Sequence, residues 1–148
     1  MKKILFLCHG NICRSPMAEF TLKQMTAGRN WQIDSKAVSS EEEGNPMDPR
    51  AQATLKKHGV PFCAHRAEQV TREDYDAYDL LIVMESYNLF RLGRITGEDT
   101  GHKVFRLLDF TDTPGDIEDP WYSGRFDFVW EQIRAGCLGV VRYLDEKP

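Results

Sequence analysis

Residues 3–20, K-I-L-F-L-C-H-G-N-I-C-R-S-P-M-A-E-F, place the tightest restriction on how this chain folds. The unbroken apolar run Ile4 to Leu7 reads as a fully buried strand. Ser15 and Pro16 read as a helix start: a capping hydroxyl, proline in the first turn and a glutamate soon after. Cys8 and Arg14 therefore bracket a short loop that feeds a helix N-terminus. Successive N–H groups in so tight a turn form a concave nest, and the helix dipole adds positive potential, so the turn suits an anion. Gly10 and Asn11 are the residues that most readily take the positive φ such a turn needs. Arg14 brings a planar fork that grips two phosphate oxygens at once. Cys8 is expected at the floor of the cup, where the same positive field favours a thiolate nucleophile. The plain alternative, a buried cysteine near a surface arginine, leaves Cys, Gly, Asn, Arg and Ser together in one loop by accident.

The rest of the chain bounds the setting. Its 148 residues suit one domain with a real core, expected to span 1–148. A formal charge of −4 does not point to nucleic acid or an anionic membrane. No membrane-spanning segment or signal peptide is expected, since Ile4 to Leu7 is far too short. The four cysteines match neither a disulfide framework nor a zinc site. A reactive thiolate needs reducing surroundings, so the cytoplasm is the expected compartment.

Apolar segments alternate with helical patterns, which argues for an α/β fold with a parallel sheet covered on both faces. The strands are read as Ile4 to Leu7, Trp31 to Val38, Asp79 to Met84 and Lys103 to Leu107. Helices are read from Ser15 to Ala27, from an Asp48 cap with Pro49 next, from a Thr71–Asp74 capping pair, from Glu85 to Arg94 and from Arg125 to Leu144. Residues 108–122 read as a long irregular stretch. Val129, Ile133, Val140 and Leu144 form one apolar stripe, and Phe126, Trp130, Cys137 and Cys63 read as packing. His58 reads as a partner for a helix C-terminus. The expected sheet is doubly wound, in order 2-1-3-4, with its crevice at the end of the first strand, where Cys8 stands.

The segment C-H-G-N-I-C-R-S-P-M-A-E closely resembles the active-site loop of the low-molecular-weight protein tyrosine phosphatases, C-x-G-N-x-C-R-S-P. D-P-W-Y at 119–122 resembles that family's acid loop, and the likeness runs from Ile4 to the last helix. The resemblance implies hydrolysis of phosphotyrosine and small aryl phosphates through a phosphocysteine. Cys8 would be nucleophile, Arg14 phosphate clamp and Asp119 general acid and base. His9, Gly10, Asn11, Ile12, Cys13 and Ser15 would surround the phosphate, with Trp121, Tyr122 and Glu41 walling the cleft. Ser15 would donate to the Cys8 sulfur, Asn11 aided by Ser39 would hold the loop open, and His65 would bond the loop from behind. No metal or cofactor is implied.

Implied partners are phosphotyrosine proteins or peptides, a tyrosine kinase among them, with phosphate and other oxyanions as inhibitors and a monomer or weak dimer as the assembly. Ile12 favours phosphotyrosine, since threonine there marks phosphoarginine phosphatases. Cys13 is the family's second loop cysteine, a partner for Cys8 in a reversible disulfide. Two residues depart from the pattern. Glu41 stands where an aromatic is usual and is expected to disfavour acidic peptides. Glu85 stands where an aspartate is usual and is expected to reposition a carboxylate that orients the loop. An arsenate reductase on the same fold is the nearest rival, but it needs relay cysteines, and Met84 to Gly101 contains none. A non-catalytic phosphate binder has no use for Cys8 and Asp119.

Overall fold

The computed structural model describes residues 1–146; the last two residues of the expected 1–148 domain lie outside the described residues. Four parallel strands, β1 (Lys2–Cys8), β2 (Trp31–Ala37), β3 (Leu80–Val83) and β4 (Val104–Arg106), form one sheet in the order β2-β1-β3-β4. The helices are α1 (Arg14–Met25), α2 (Pro49–Lys57), α3 (Arg72–Ala77), α4 (Ser86–Thr96), α5 (Pro120–Ser123) and α6 (Phe126–Glu146). A 3₁₀ turn (Leu107–Phe110) follows β4.

Side-chain alternation along β1 sorts the core into two layers. Ile4 and Phe6 join Ile33, Leu80 and Ile82 against Met17 and Leu22 of α1 and Val129, Ile133 and Val140 of α6. Leu5 and Leu7 join Leu81 and Val83 against Tyr75 of α3, Tyr78 and Leu92 of α4. Both faces of β1 are therefore fully buried, which is why its middle reads as an unbroken apolar run. The strand itself is longer than that run. Lys2 and Lys3 pair with Trp31 and Gln32, and Cys8 pairs with Ala37, because ladder hydrogen bonds need backbone rather than apolar side chains.

Other boundaries shift for local reasons. Helix α2 is capped as expected, Asp48 accepting from Arg50 N at 2.7 Å, and the Thr71–Asp74 capping box forms. Helix α1 starts at Arg14 with Cys13 at its cap position and no side-chain cap, so Ser15 is not the capping hydroxyl. His58 closes α2, stacks on Trp130 at 3.9 Å between ring centroids and bonds Asp127 at 3.0 Å. Cys137 is buried, but Cys63 is exposed rather than packed. The 108–122 stretch is not wholly irregular, since it holds most of the 3₁₀ turn and the first turn of α5. Among the described residues no helix is long and apolar enough to cross a membrane.

Helix α6 can lie close to the 3₁₀ turn only because it lacks side chains where the two meet. A Cβ at Gly139 would run into the Phe110 carbonyl, and one at Gly136 into the Leu107 side chain. Alanine gains up to about 1 kcal/mol of helix propensity over glycine. Overpacking against backbone costs about 1–3 kcal/mol. We therefore expect Gly139→Ala to be net destabilising, read as a lower urea midpoint with an unchanged m-value.

Candidate active site

Strand β1 ends at Cys8 and α1 begins at Arg14, so the loop between them hangs over the point where strand order reverses. Asn11 takes a left-handed φ of 61°. Gly10 does not have a positive φ, contrary to expectation; what it supplies is clearance, since a Cβ there would stand 3.2 Å from Glu42 Cγ. The turn brings Asn11 N to 3.2 Å and Ser15 N to 3.4 Å from Cys8 Sγ, with Ser15 Oγ at 3.0 Å.

The direction of the Ser15 bond follows from its neighbours. The Glu68 N–H donates to Asn11 Oδ1 at 3.2 Å, which fixes the other end of that carboxamide as the amide nitrogen. Asn11 Nδ2 donates to Ser15 Oγ at 2.8 Å and to Ser35 Oγ at 3.0 Å. Ser35 then donates to Glu19 Oε1 at 2.6 Å. With its oxygen already accepting, Ser15 is left to direct its proton at the Cys8 sulfur. His65 Nε2 lies 2.8 Å from the Asn11 carbonyl, which requires the hydrogen to be on Nε2. Ser39 holds the His9 carbonyl with its hydroxyl at 2.8 Å and its N–H at 3.2 Å.

Arg14 is buried, with 2% of its side chain exposed. Its Nη1 bonds the Glu85 carboxylate and donates to the Ile117 carbonyl at 2.8 Å, while Nη2 lies 3.5 Å from Asp119 Oδ2. Burial alone would lower its pKa, but Cys8, Asp119 and Glu85 outweigh burial and hold the guanidinium above its ordinary value. Asp119 caps α5, its Oδ1 accepting from Trp121 N at 3.0 Å, so Pro120 and the cap together leave Oδ2 toward Arg14. The Cys13 thiol is pushed up, first by burial and then by Asp48, so it stays protonated.

These groups share one cleft of about 120 Å³. Cys8 and Arg14 lie in it with Ile12 and Cys13; Glu41 and Glu42 line it, as do Asp119, Trp121 and Tyr122. Trp121 and Tyr122 meet edge-on at 4.9 Å and are exposed, so they belong to the rim and not the core. Glu41 reaches back to His9 Nε2 at 2.8 Å.

The structure gathers the expected site residues around one loop. Ser39 bonds the loop at the His9 carbonyl, and the Asn11 side chain bonds Ser35. Glu85 reaches the loop region through Arg14. Sequence reading missed Ser35, Glu19 and the Ile117 carbonyl. A signal for Ser35 existed, since Ile33, Ser35 and Ala37 alternate on the inward face of β2 and the middle one is polar.

A cysteine at the foot of an amide-lined loop, closed by an arginine on a doubly wound sheet, marks the class of cysteine-based phosphatases with a C-x5-R loop. The family model described as low molecular weight phosphotyrosine protein phosphatase matches residues 3–148, and the chain belongs to that family. It is 38% identical to the human low molecular weight phosphotyrosine protein phosphatase, over 99% of this chain and 95% of that protein. The crystal structure of YfkJ from Bacillus subtilis superimposes with a TM-score of 0.93 at 33% identity, covering 99% of this chain and 96% of that one. Vibrio vulnificus Wzb in complex with benzylphosphonate gives 0.86 at 27% identity, covering 96% and 98%.

Replacing Ser35 by alanine would leave one Asn11 amide hydrogen and the Glu19 Oε1 oxygen without their partner, while Asn11 keeps Ser15 and Glu19 keeps Lys23. We expect a loss of about 1–3 kcal/mol in stability, measured by chemical denaturation.

Proposed function

We propose that the protein hydrolyses phosphotyrosine and small aryl phosphate monoesters through a phosphocysteine. The observation that carries this reading is the Cys8 sulfur, held by two N–H groups and the Ser15 hydroxyl, in one cleft with Arg14 and Asp119. Enzymes that cleave phosphate monoesters supply ~20 kcal/mol or more over the reaction in water. Here Cys8 attacks phosphorus in line with the ester bond. The Arg14 guanidinium and loop N–H groups take up charge as it spreads over the equatorial oxygens. Asp119, 26% exposed at the cleft mouth, gives its proton to the leaving phenolic oxygen. It then takes a proton from the water that cleaves the S–P bond. The Ser15 hydroxyl stabilises the departing sulfur in that second step.

The benzylphosphonate held by Wzb supports the reading, because it joins a phosphoryl-like dianion to a phenyl ring through a carbon that cannot be hydrolysed. Trp121 and Tyr122 offer flat apolar faces at the mouth of this cleft. Ile12 at the same mouth favours an aryl ester over phosphoarginine. Against arsenate reduction, the segment from Met84 to Gly101 carries no cysteine to relay electrons by disulfide exchange. The compartment that suits a thiolate nucleophile at Cys8 is the reducing cytoplasm. Peroxide would oxidise Cys8 to a sulfenic acid, and Cys13 would condense with it, releasing water and leaving a disulfide.

The test is hydrolysis of p-nitrophenyl phosphate by the wild type, Cys8→Ser and Asp119→Ala, beside an arsenate assay with a thiol reductant. We expect Cys8→Ser to fall to background and Asp119→Ala to lose about 10²–10⁴-fold in kcat. Arsenate turnover without aryl phosphatase activity would overturn the assignment.

A further inference from the structure

The two walls of the cleft are electrostatically unequal. On one side the lining acid has a permanent cationic partner. Asp119 there faces the Arg14 guanidinium at 3.5 Å, and the neighbouring Glu118, outside the cleft lining, is bound by Arg125. On the other side the lining acids do not have one. Glu41 is paired with His9, which is cationic only when protonated, and its side chain is 68% exposed. Glu42 accepts from the neutral Asn45 amide at 2.7 Å, and its stem lies against Gly10 of the loop. Both carboxylates line the cavity that holds Cys8 and Arg14. A phosphoryl dianion entering alone meets repulsion from this wall before it reaches the cup. A substrate with a cation beside the phosphoryl group meets attraction instead.

We propose, resting on the phosphatase reading above, that Glu41 and Glu42 are specificity-determining residues that select phosphotyrosine flanked by lysine or arginine. The selection acts on the approach and binding of the flanking residues, not on the bond being broken. It therefore falls mainly on KM, because a contact equal in ground and transition states leaves kcat alone. It is also open to solvent and so is screened, the Debye length falling from about 10 Å at 0.1 M salt to about 3 Å at 1 M.

Two phosphotyrosine peptides of equal length, one with lysines and one with glutamates on both sides of the phosphotyrosine, test the idea with p-nitrophenyl phosphate alongside. Summing attraction for one and repulsion for the other, we expect kcat/KM to favour the basic peptide by on the order of 10-fold at low ionic strength. Raising salt should slow the basic peptide relative to the acidic one. The Glu41→Gln/Glu42→Gln double variant should bring the ratio toward unity. Peptides turned over within about twofold of each other by a wild type that hydrolyses the aryl phosphate would overturn the selectivity and leave the phosphatase reading standing. A ratio that survives both substitutions would also overturn it, placing the preference elsewhere. Failure of the wild type on all three substrates would remove the phosphatase reading and this inference with it.

Discussion

The site depends on one carboxamide. Asn11 stands at the left-handed position of the loop, a conformation that asparagine tolerates better than most residues. Its side chain points inward, where Glu68 N–H occupies the oxygen and two serine oxygens occupy the nitrogen. Each hydroxyl has one proton, and each oxygen already accepts from Asn11. The Ser15 proton is thereby committed to sulfur and the Ser35 proton to Glu19. Both serines thus direct their protons away from the amide, one at the Cys8 sulfur and one at the Glu19 carboxyl. The shape of the loop and the polarisation of its sulfur follow from the same residue.

Around that network the sheet supplies rigidity. Cys8 is the last residue of the central strand β1, paired to Ala37, and Val38 N still donates to its carbonyl at 3.0 Å. The sulfur therefore sits on backbone held by a ladder, and the neighbouring Leu7 is fully buried. Arg14 poses the opposite problem. A buried guanidinium is costly without partners, and this one has Glu85, Asp119 and the Ile117 carbonyl. Those partners come from the ends of β3 and from the stretch before α5, so the cation ties the loop to both. The longer glutamate at 85 spans the distance to Nη1, and its backbone N–H is held by Asn88 Oδ1 at 3.1 Å.

The readable part of this structure is its local part. The strand, loop and helix of residues 2–25 are contiguous, so periodicity and turn chemistry are enough to place Cys8 and Arg14. The sheet order follows from strand alternation and handedness rules that need no side-chain detail. What could not be read is non-local or overridden. Ser35 lies inside β2 and Ser39 two residues past its end at Ala37, and only the three-dimensional course of the chain there decides that Ser35 meets Asn11. Ile117 acts through its carbonyl, a group every residue has, so no letter marks it. Ser15 follows the pattern of a helix cap, yet α1 begins one residue earlier at Arg14, and the Ser15 hydroxyl, inside the helix, bonds the Asn11 amide and the Cys8 sulfur instead.

The same division of labour bears on how such a site can change. Interactions at the floor of the cup are short, buried and mutually dependent, so altering one leaves others unpartnered. The acids at the mouth are different. Glu41 and Glu42 lie on the segment between β2 and α2, bonded to His9 and Asn45 and to nothing in the core. Glu41 is exposed and Glu42 partly so, and ion pairs of this kind contribute about 0–1 kcal/mol each to stability, so their identity is nearly free to vary. Their field still reaches an incoming dianion over several ångströms, because ligand charge, unlike fold stability, is sensed before contact. The chain can therefore hold the groups at the floor of the cup fixed while the mouth is tuned to the charge of whatever approaches it.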